Sequence, residues 1–199
     1  SALELADAEA LRRLGLGGGA ALLVGLDGIA EQVDWEVAEL SRLLGPIGLG
    51  ETTVLDGAAR DAAWRGLAGL GRPGQERVAA VMKWAVLPTQ IAELMEAGAA
   101  AAQRNGLVGA LTAHAGVGIV TAVLAGGTNP NAVVSTLTEW RALVNRVDGH
   151  AMIEWAPLAV KERVAVWDAP GPTLRLMKGI KERLDPRGIL NPGRFVGDI

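Results

Sequence analysis

The segment LVGALTAHAGVGIVTAVL, residues 107–124, decides the fold class of this chain. It contains two apolar runs, 107–113 and 117–124, and runs of this length bounded by glycine predict buried strands. The connection near Ala115 and Gly116 is too short for a crossover between parallel strands, so the pair must form an antiparallel hairpin. A hairpin set among helical patterns predicts an α+β fold, with an antiparallel or mixed β-sheet flanked by helices.

The remaining elements are predicted on both sides of this hairpin. Further strands are expected at 20–26, 52–55, 77–87 and 150–154. Helices are expected at 29–44, 56–70, 88–104, 129–147 and 172–184, with a short helical or irregular segment at 158–167. Asp56 and Asn129 are the expected N-caps of two of these helices. The chain, residues 1–199, is therefore predicted to be one α+β domain.

Helical spacing also predicts which residues form the core. Trp140 shares a helical face with Leu137 and Val144, which predicts that its indole is buried. Burial is predicted likewise for Trp35, Trp64 and Trp84. In the last helix, the inward positions are expected to be Leu174, Met177, Ile180 and Leu184.

Composition excludes several classes of function. The net charge is −3 and the basic residues are scattered, so no basic stripe predicts a nucleic-acid partner. The chain has no cysteine, which excludes thiolate chemistry and Cys-ligated iron–sulfur clusters within it. Residues 105–138 lack Asp, Glu, Lys and Arg, but small residues and a Gly-Gly-Thr-Asn-Pro break favour two buried strands and a helix over a transmembrane segment.

Two polar residues in apolar strands are candidates for chemistry. His114 ends the first strand of the hairpin beside glycines, where it is either a half-buried, hydrogen-bonded histidine or an imidazole that faces a ligand. Glu154 stands between apolar neighbours and needs a partner, which could be Lys161 or Arg163. The glycine run 17–19 precedes a strand instead of a helix, so it is interpreted as a plain loop.

The C-terminal segment LMKGIKERLDPRGILNPGRF, residues 176–195, carries the most specific pattern. It combines an amphipathic helix, a proline stop and a rigid Asn-Pro-Gly turn that directs Asn191 and Arg194. This segment closely resembles the closing motif of the FAD-linked oxidases of the vanillyl-alcohol-oxidase type. The segment AHAGVG, residues 113–118, is similar to the His-Ala-Gly-x-Gly strand of that family. Residues 167–172 look like the FAD-binding subunit of bacterial glycolate oxidase.

This resemblance implies a ferredoxin-like cap domain that covers the substrate side of the flavin. It implies that His114, Asn191 and Arg194 lie near FAD, and that Glu154, Trp155 and Thr121 are candidates for the substrate pocket. A separate N-terminal FAD-binding domain, expected to be absent from this chain, would hold most of the cofactor. No catalytic residue is assigned.

Two positions depart from the metal-dependent 2-hydroxy-acid dehydrogenases of the same superfamily. Their second metal-binding histidine, seven residues after the first, is replaced here by Thr121. Their catalytic histidine, which follows the metal-binding glutamate, is replaced here by Trp155. Neither a hydroxyl nor an indole accepts a proton near neutral pH. One imidazole ligand and the proton acceptor are therefore missing, so we expect no metal cofactor, and weak or no binding of divalent ions in a calorimetric titration.

The resemblance leads to the expectation of a flavin-dependent oxidoreductase, and most closely of the FAD-binding subunit of a glycolate oxidase. Its expected partners are a catalytic flavoprotein subunit, an iron–sulfur subunit and a small 2-hydroxy acid such as glycolate. The isolated chain is expected to be inactive and cytoplasmic, with any membrane association supplied by partner subunits. Two alternatives remain open: a non-catalytic assembly module, and part of a self-sufficient sugar or alcohol oxidase.

Overall fold

A computed structural model of the chain describes residues 2–48, 52–72, 78–127 and 129–199. The strands within these ranges are β1 (Ala2–Ala6), β2 (Ala21–Gly25), β3 (Val78–Ala85), β4 (Val108–His114), β5 (Ile119–Ala125) and β6 (His150–Trp155). The α-helices within them are α1 (Ala8–Arg13), α2 (Ala30–Leu44), α3 (Gly57–Gly69), α4 (Ile91–Arg104), α5 (Pro130–Asn145), α6 (Leu158–Lys161) and α7 (Leu174–Leu184).

The strands form one antiparallel sheet in the order β2-β1-β4-β5-β3-β6. The β4–β5 hairpin runs in register from Val108 opposite Ala125 to His114 opposite Ile119. This confirms the predicted hairpin and the α+β class. Residues 105–138, which lack charge, form this hairpin and most of α5, and no helix in the described ranges is long and apolar enough to cross a bilayer.

Helices α4 and α5 pack on one face of the sheet and enclose the main core. Trp84 from β3 and Trp140 from α5 are fully buried there, with their rings in an edge-to-face contact at 5.4 Å. The Trp140 indole donates a 2.8 Å hydrogen bond to the Gly98 carbonyl oxygen. The burial predicted for Trp84 and Trp140 is confirmed. Trp64 is half-buried, and the prediction for Trp35 is wrong, because that indole is 65% exposed on α2.

A smaller core lies on the opposite face of the sheet beneath α1. It contains Ala10 and Leu11 from the helix, packed with Val81, Ala110 and Val123 from three strands. Asp7 joins the two layers: one carboxylate oxygen caps α1 through the Ala10 N–H at 2.7 Å, and the other accepts from the Leu111 N–H at 3.0 Å. Burial is the dominant influence on this carboxyl group and raises the pKa of Asp7.

The structure differs from the sequence-based prediction at several elements. Residues 52–55 were expected to be a strand, but they form an exposed irregular segment with no ladder partner. Strand β1 and helix α1 were not predicted, although the alternation of Leu3, Glu4 and Leu5 is typical of a half-buried strand. Of the predicted strand 77–87, the structure shows β3 from Val78 to Ala85, and Arg77 lies outside the described residues. Pro73, Gly74 and Thr128, which were expected in turns, also lie outside them.

The two edge strands of the sheet differ in whether another segment of the chain covers their outer edge. Along β6, the irregular chain after α6 covers the edge: Ile153 donates to the Val166 carbonyl at 2.9 Å, and Ala151 donates to the Asp168 carboxylate at 2.7 Å. Arg141 of α5 holds this segment through a 2.9 Å ion pair with Asp168. Strand β2 pairs with β1 on its inner side, but its outer edge forms no backbone hydrogen bond with any described residue.

Helix α7 is amphipathic but barely covered. Leu174 and Met177 are half-buried as predicted, whereas Ile180 and Leu184 are 52% and 79% exposed. Their predicted inward orientation is therefore wrong within this chain. The spacing identified an apolar face correctly, but no described element packs against that part of it.

Candidate functional site

The register of the sheet places the polar candidate residues on one face. Residues that pair across antiparallel strands point to the same side, and successive residues alternate between sides. Met82 and Trp84 belong to the core beneath α4 and α5, so Lys83 between them points away from those helices. We call this side of the sheet the open face, and two rows of residues paired from strand to strand cross it. The first row consists of Ala6, Thr112, Thr121, Lys83 and Met152. The second row consists of Glu4, His114, Ile119, Ala85 and His150.

Glu154 forms an ion pair with Lys83 across the neighbouring strands. The Glu154 Oε1–Lys83 Nζ distance is 3.0 Å, and the two side chains are 45% and 41% exposed. The expected partners Lys161 and Arg163 were wrong, because the sheet supplies a closer cation from β3; Arg163 instead donates to the Asn131 side chain. Reading a single strand could not reveal this partner, which lies 71 positions earlier in the chain.

His114 pairs with Glu4 at the end of β4. The His114 Nδ1 atom is hydrogen-bonded to the Glu4 Oε1 atom, and the imidazole is 60% exposed while Glu4 is largely covered. The histidine is hydrogen-bonded as expected, but more exposed than half-buried. Glu4 was missed because β1 was missed, although its place between two leucines marked the solvent side of a strand.

Thr121 and Trp155 occupy the same side of the sheet as Lys83. Thr121 is half-buried, opposite Lys83 on one side and the buried Thr112 on the other. Trp155 is opposite Val81 and packs on the smaller core. The structure thus brings His114, Thr121, Glu154 and Trp155 onto one face, while their predicted roles stay predictions.

The turn after His114 depends on a glycine. Gly118 has φ +75°, and a Cβ atom there would lie 1.8 Å from the Val86 carbonyl oxygen. The Val117 and Gly118 amides both donate to the His114 carbonyl oxygen at 3.1 Å. Gly116 in the same motif has open space around it. Gly118 is therefore the glycine that permits the tight turn, and this turn fixes the backbone that carries His114.

Asn191 and Arg194 lie in residues 185–195, the segment of turns that follows α7 and that we call the hook. Both are exposed, and Asn191 adopts φ +46° while its carbonyl oxygen accepts from the Arg194 amide at 3.2 Å. No hydrogen bond or ion pair joins the described residues 185–195 to the sheet. The structure therefore does not bring these two residues onto the open face with His114.

Asp185 holds the hook together. Its carboxylate accepts hydrogen bonds from the Ile189 and Leu190 amides at 3.0 and 2.9 Å, and pairs with Lys181 at 2.7 Å. Lys181 also donates to the Leu190 carbonyl oxygen at 2.6 Å. The Lys181 bond first, and the amide bonds with it, lower the pKa of Asp185 from 3.8 to about 2. This network gives a physical reason for the aspartate at position 185 of the C-terminal pattern.

We predict that the hook loosens in acid with the midpoint of Asp185. A lowered pKa means that the ionised carboxylate stabilises the hook above pH 3.8, and that this contribution is lost as the pH falls through about 2. The amide proton shifts of Ile189 and Leu190 should titrate with a midpoint near 2. In Asp185→Asn this titration should disappear, and in Lys181→Met the midpoint should rise. A midpoint at the ordinary aspartate value in the wild-type chain would contradict the prediction.

Other possible sites lie away from this face. A hollow of about 360 Å³ lies between the β1–β2 ribbon and α2, lined mainly by apolar side chains that include Leu3, Val24 and Trp35. Within the described ranges, no group of three or more His, Asp and Glu side chains is placed to hold a metal ion. The polar rows on the open face are therefore the candidate site.

The fold and this face define an α+β domain with one side of its sheet covered by α4 and α5, and the other side covered in part by α1, with polar side chains accessible beyond that helix. The chain belongs to the family described as FAD linked oxidases, C-terminal domain, which matches residues 2–195. The domain is therefore part of a flavin-dependent oxidoreductase, and the resemblance seen in the C-terminal motif is confirmed at this level. None of the curated proteins compared with the chain matches it.

The described residues fit one part of the FAD that this family implies. A flat face with an imidazole, a hydroxyl, an ammonium and a carboxylate can offer hydrogen bonds to a planar ring system. The phosphates would need amide groups such as those of a glycine loop before a helix, but the exposed Gly17–Gly19 loop leads into β2. Of these groups, the exposed imidazole of His114 would be the one to face the ring end of the cofactor, which would supply hydride transfer.

Proposed function

We propose that this domain covers the substrate side of the flavin in an enzyme that oxidises glycolate or a related 2-hydroxy acid. The observation that carries the proposal is the open polar face, on which Lys83 and Glu154 lie next to Thr121. In this proposal the sheet closes over the reacting centre, excludes water and orients the substrate. A separate FAD-binding domain, connected to this chain or associated with it, holds most of the cofactor.

The finer assignment proposed is the FAD-binding subunit of a glycolate oxidase. It is supported by residues 167–172, whose pattern is similar to that subunit, and by Thr121 and Trp155, which stand where the metal-dependent 2-hydroxy-acid dehydrogenases have histidines. The partners would be a catalytic flavoprotein subunit and an iron–sulfur subunit. Since these 199 residues contain no cysteine, any cysteine ligands of an iron–sulfur cluster must come from outside them.

The test is anaerobic flavin reduction. The chain should be produced both alone and together with its FAD-binding domain, and flavin content should be measured in each sample. We expect the chain alone to be colourless and inactive, and the complete protein assembled with its catalytic flavoprotein subunit to be yellow and reduced on adding glycolate. A full complement of flavin on the chain alone, or an assembled oxidase whose flavin no 2-hydroxy acid reduces, would contradict the proposal.

A second candidate is a non-catalytic assembly module. The favouring observation is the uncovered apolar side of α7 and the hook, where Leu176, Ile180 and Leu184 are 68%, 52% and 79% exposed. An exposed apolar surface of this kind marks an interaction site. Pull-down of the catalytic subunit by a complete protein that carries no flavin would favour this candidate; flavin retained in the same complex would favour the enzymatic one.

A further inference from the structure

Strand β2 is the edge strand whose outer side is uncovered. The opposite edge strand, β6, is covered by the chain at Val166 and Asp168, which accept hydrogen bonds from the Ile153 and Ala151 amides. On β2, the outer N–H and C=O groups have no backbone partner within the described ranges. None of its five residues is buried, and Leu22 is 39% exposed. This row of backbone donors and acceptors is therefore available to pair with another strand.

The sequence of this edge lacks the residues that prevent strand pairing. Edge strands of soluble proteins usually carry a lysine, a proline or a bulge that blocks the approach of a second strand. Residues 14–26 contain no charged residue and no proline, and β2 pairs with β1 without a register shift. Because an unprotected edge of this kind otherwise promotes aggregation, its presence here indicates a specific partner strand.

A second copy of the same strand fits this edge by symmetry. Two identical strands related by a twofold axis run antiparallel, and a contact of this type closes on itself as a dimer. With the axis at Leu23, the middle residue, all five residues of β2 pair, and Leu22 of each copy lies opposite Val24 of the other. The nearest charged residue, Asp27, then lies opposite Gly19, so no like charges face each other across the axis.

The side chains of this edge add apolar burial to the backbone pairing. Successive strand residues alternate, so Leu22 and Val24 point to the same side of β2. Val24 lines the hollow beside α2 together with Leu3 and Trp35, whose side chains are 40% and 65% exposed. A twofold axis perpendicular to the sheet keeps both hollows on the same face. Leu22 and Val24 from the two copies then form one continuous apolar strip.

We propose that the chain forms a twofold dimer by antiparallel pairing of β2 with β2 of a second copy, centred on Leu23. The dimer joins the two sheets edge to edge into one. It does not depend on the proposed function, because β2 lies at the opposite end of the sheet from Lys83 and Glu154.

Sedimentation velocity over a range of protein concentrations tests the dimer. We expect the chain to change from monomer to dimer as its concentration rises. The outward-facing amides of β2 should exchange more slowly in the dimer, because they gain hydrogen bonds across the axis. Leu22→Lys should weaken dimerisation at least about tenfold, since each ammonium group would be placed against the Val24 side chain of the other copy. The matched control, Leu158→Lys, changes an aliphatic residue of α6 that is 68% exposed, and should dimerise like the wild type.

A cysteine placed on the axis tests the register. The chain has no cysteine of its own, so Leu23→Cys introduces a single thiol. Directly opposite residues of an antiparallel pair have Cα atoms about 4.5–5.5 Å apart, a separation that a disulfide can bridge. We expect oxidation by copper phenanthroline to convert this variant into a covalent dimer whose circular dichroism matches the wild type. Val117→Cys, at a position of the β4–β5 turn that is 70% exposed, should cross-link far more slowly.

The outcomes separate the possible occupants of the edge. A chain that stays monomeric at every concentration, a dimer that Leu22→Lys leaves unchanged, or a Leu23→Cys variant that cross-links no faster than Val117→Cys would each overturn the proposal. In the complete protein with its FAD-binding domain, a monomer would assign the edge to that domain and remove the second copy. A dimer whose assembled oxidase is not reduced by glycolate would remove the proposed function alone.

Discussion

Replacing Gly118 with alanine is expected to lower the free energy of unfolding by about 3–5 kcal/mol. Two costs add: a non-glycine residue at positive φ is strained by about 1–3 kcal/mol, and forcing atoms into a filled space costs a similar amount. The second cost is large here because the new methyl group would meet the Val86 carbonyl oxygen at 1.8 Å, and backbone cannot move aside as a side chain can. Urea unfolding followed by tryptophan fluorescence measures the change.

The control lies two residues away in the same motif. Gly116 has open space around it and no positive φ, so Gly116→Ala should change the unfolding free energy by no more than about 0.5 kcal/mol. Because Val86 also donates to the Gly118 carbonyl oxygen at 2.9 Å, the damage in Gly118→Ala should reach the end of β3. Equal effects of the two substitutions would show that the turn is not built as described.

The second large effect is expected in the main core. Trp140→Ala should lower the unfolding free energy by about 3–5 kcal/mol, since it leaves a large cavity beside Trp84. It also leaves the buried Gly98 carbonyl without the indole donor that now lies 2.8 Å away. The matched control is Trp35→Ala, because that indole is 65% exposed and its loss should cost no more than about 1 kcal/mol.

Phenylalanine substitutions separate packing from hydrogen bonding in the same core. Trp140→Phe removes the bond to Gly98, whereas the buried Trp84 indole N–H has no hydrogen-bond partner among the described residues. Both substitutions replace an indole with a smaller phenyl ring in the main core. Trp140→Phe should therefore be more destabilising than Trp84→Phe by about 1–3 kcal/mol. The reverse order would mean that the Gly98 bond contributes little.

Much of the fold was predictable from local patterns. The β4–β5 hairpin, α2, α4 and α5 were all found, because their apolar periodicity is long and their glycine and proline boundaries are clear. Residues 52–55 failed for the opposite reason: a short β-branched run predicts a strand only where another strand pairs with it. The burial of Trp35 failed because helical spacing identifies an apolar face without identifying what packs on it.

The candidate site was predicted residue by residue, but its connections were not. His114 and Glu154 were predicted as candidates because they are polar groups in apolar strands, whereas Glu4 and Lys83, with which they pair, were not. Each pair joins strands far apart in the chain. Only the strand order of the sheet makes them neighbours, and no local spacing rule contains that order.

The sequence by itself determined the α+β class, the tryptophan core and the C-terminal hook, because periodicity, turn residues and a local carboxylate cap act over a few neighbouring positions. Tertiary structure alone decided that Lys83 meets Glu154, that His114 meets Glu4, and that both pairs share one open face. The physical reason is register: antiparallel pairing aligns residues from distant segments, and side chains that alternate away from α4 and α5 are exposed where α1 does not cover them.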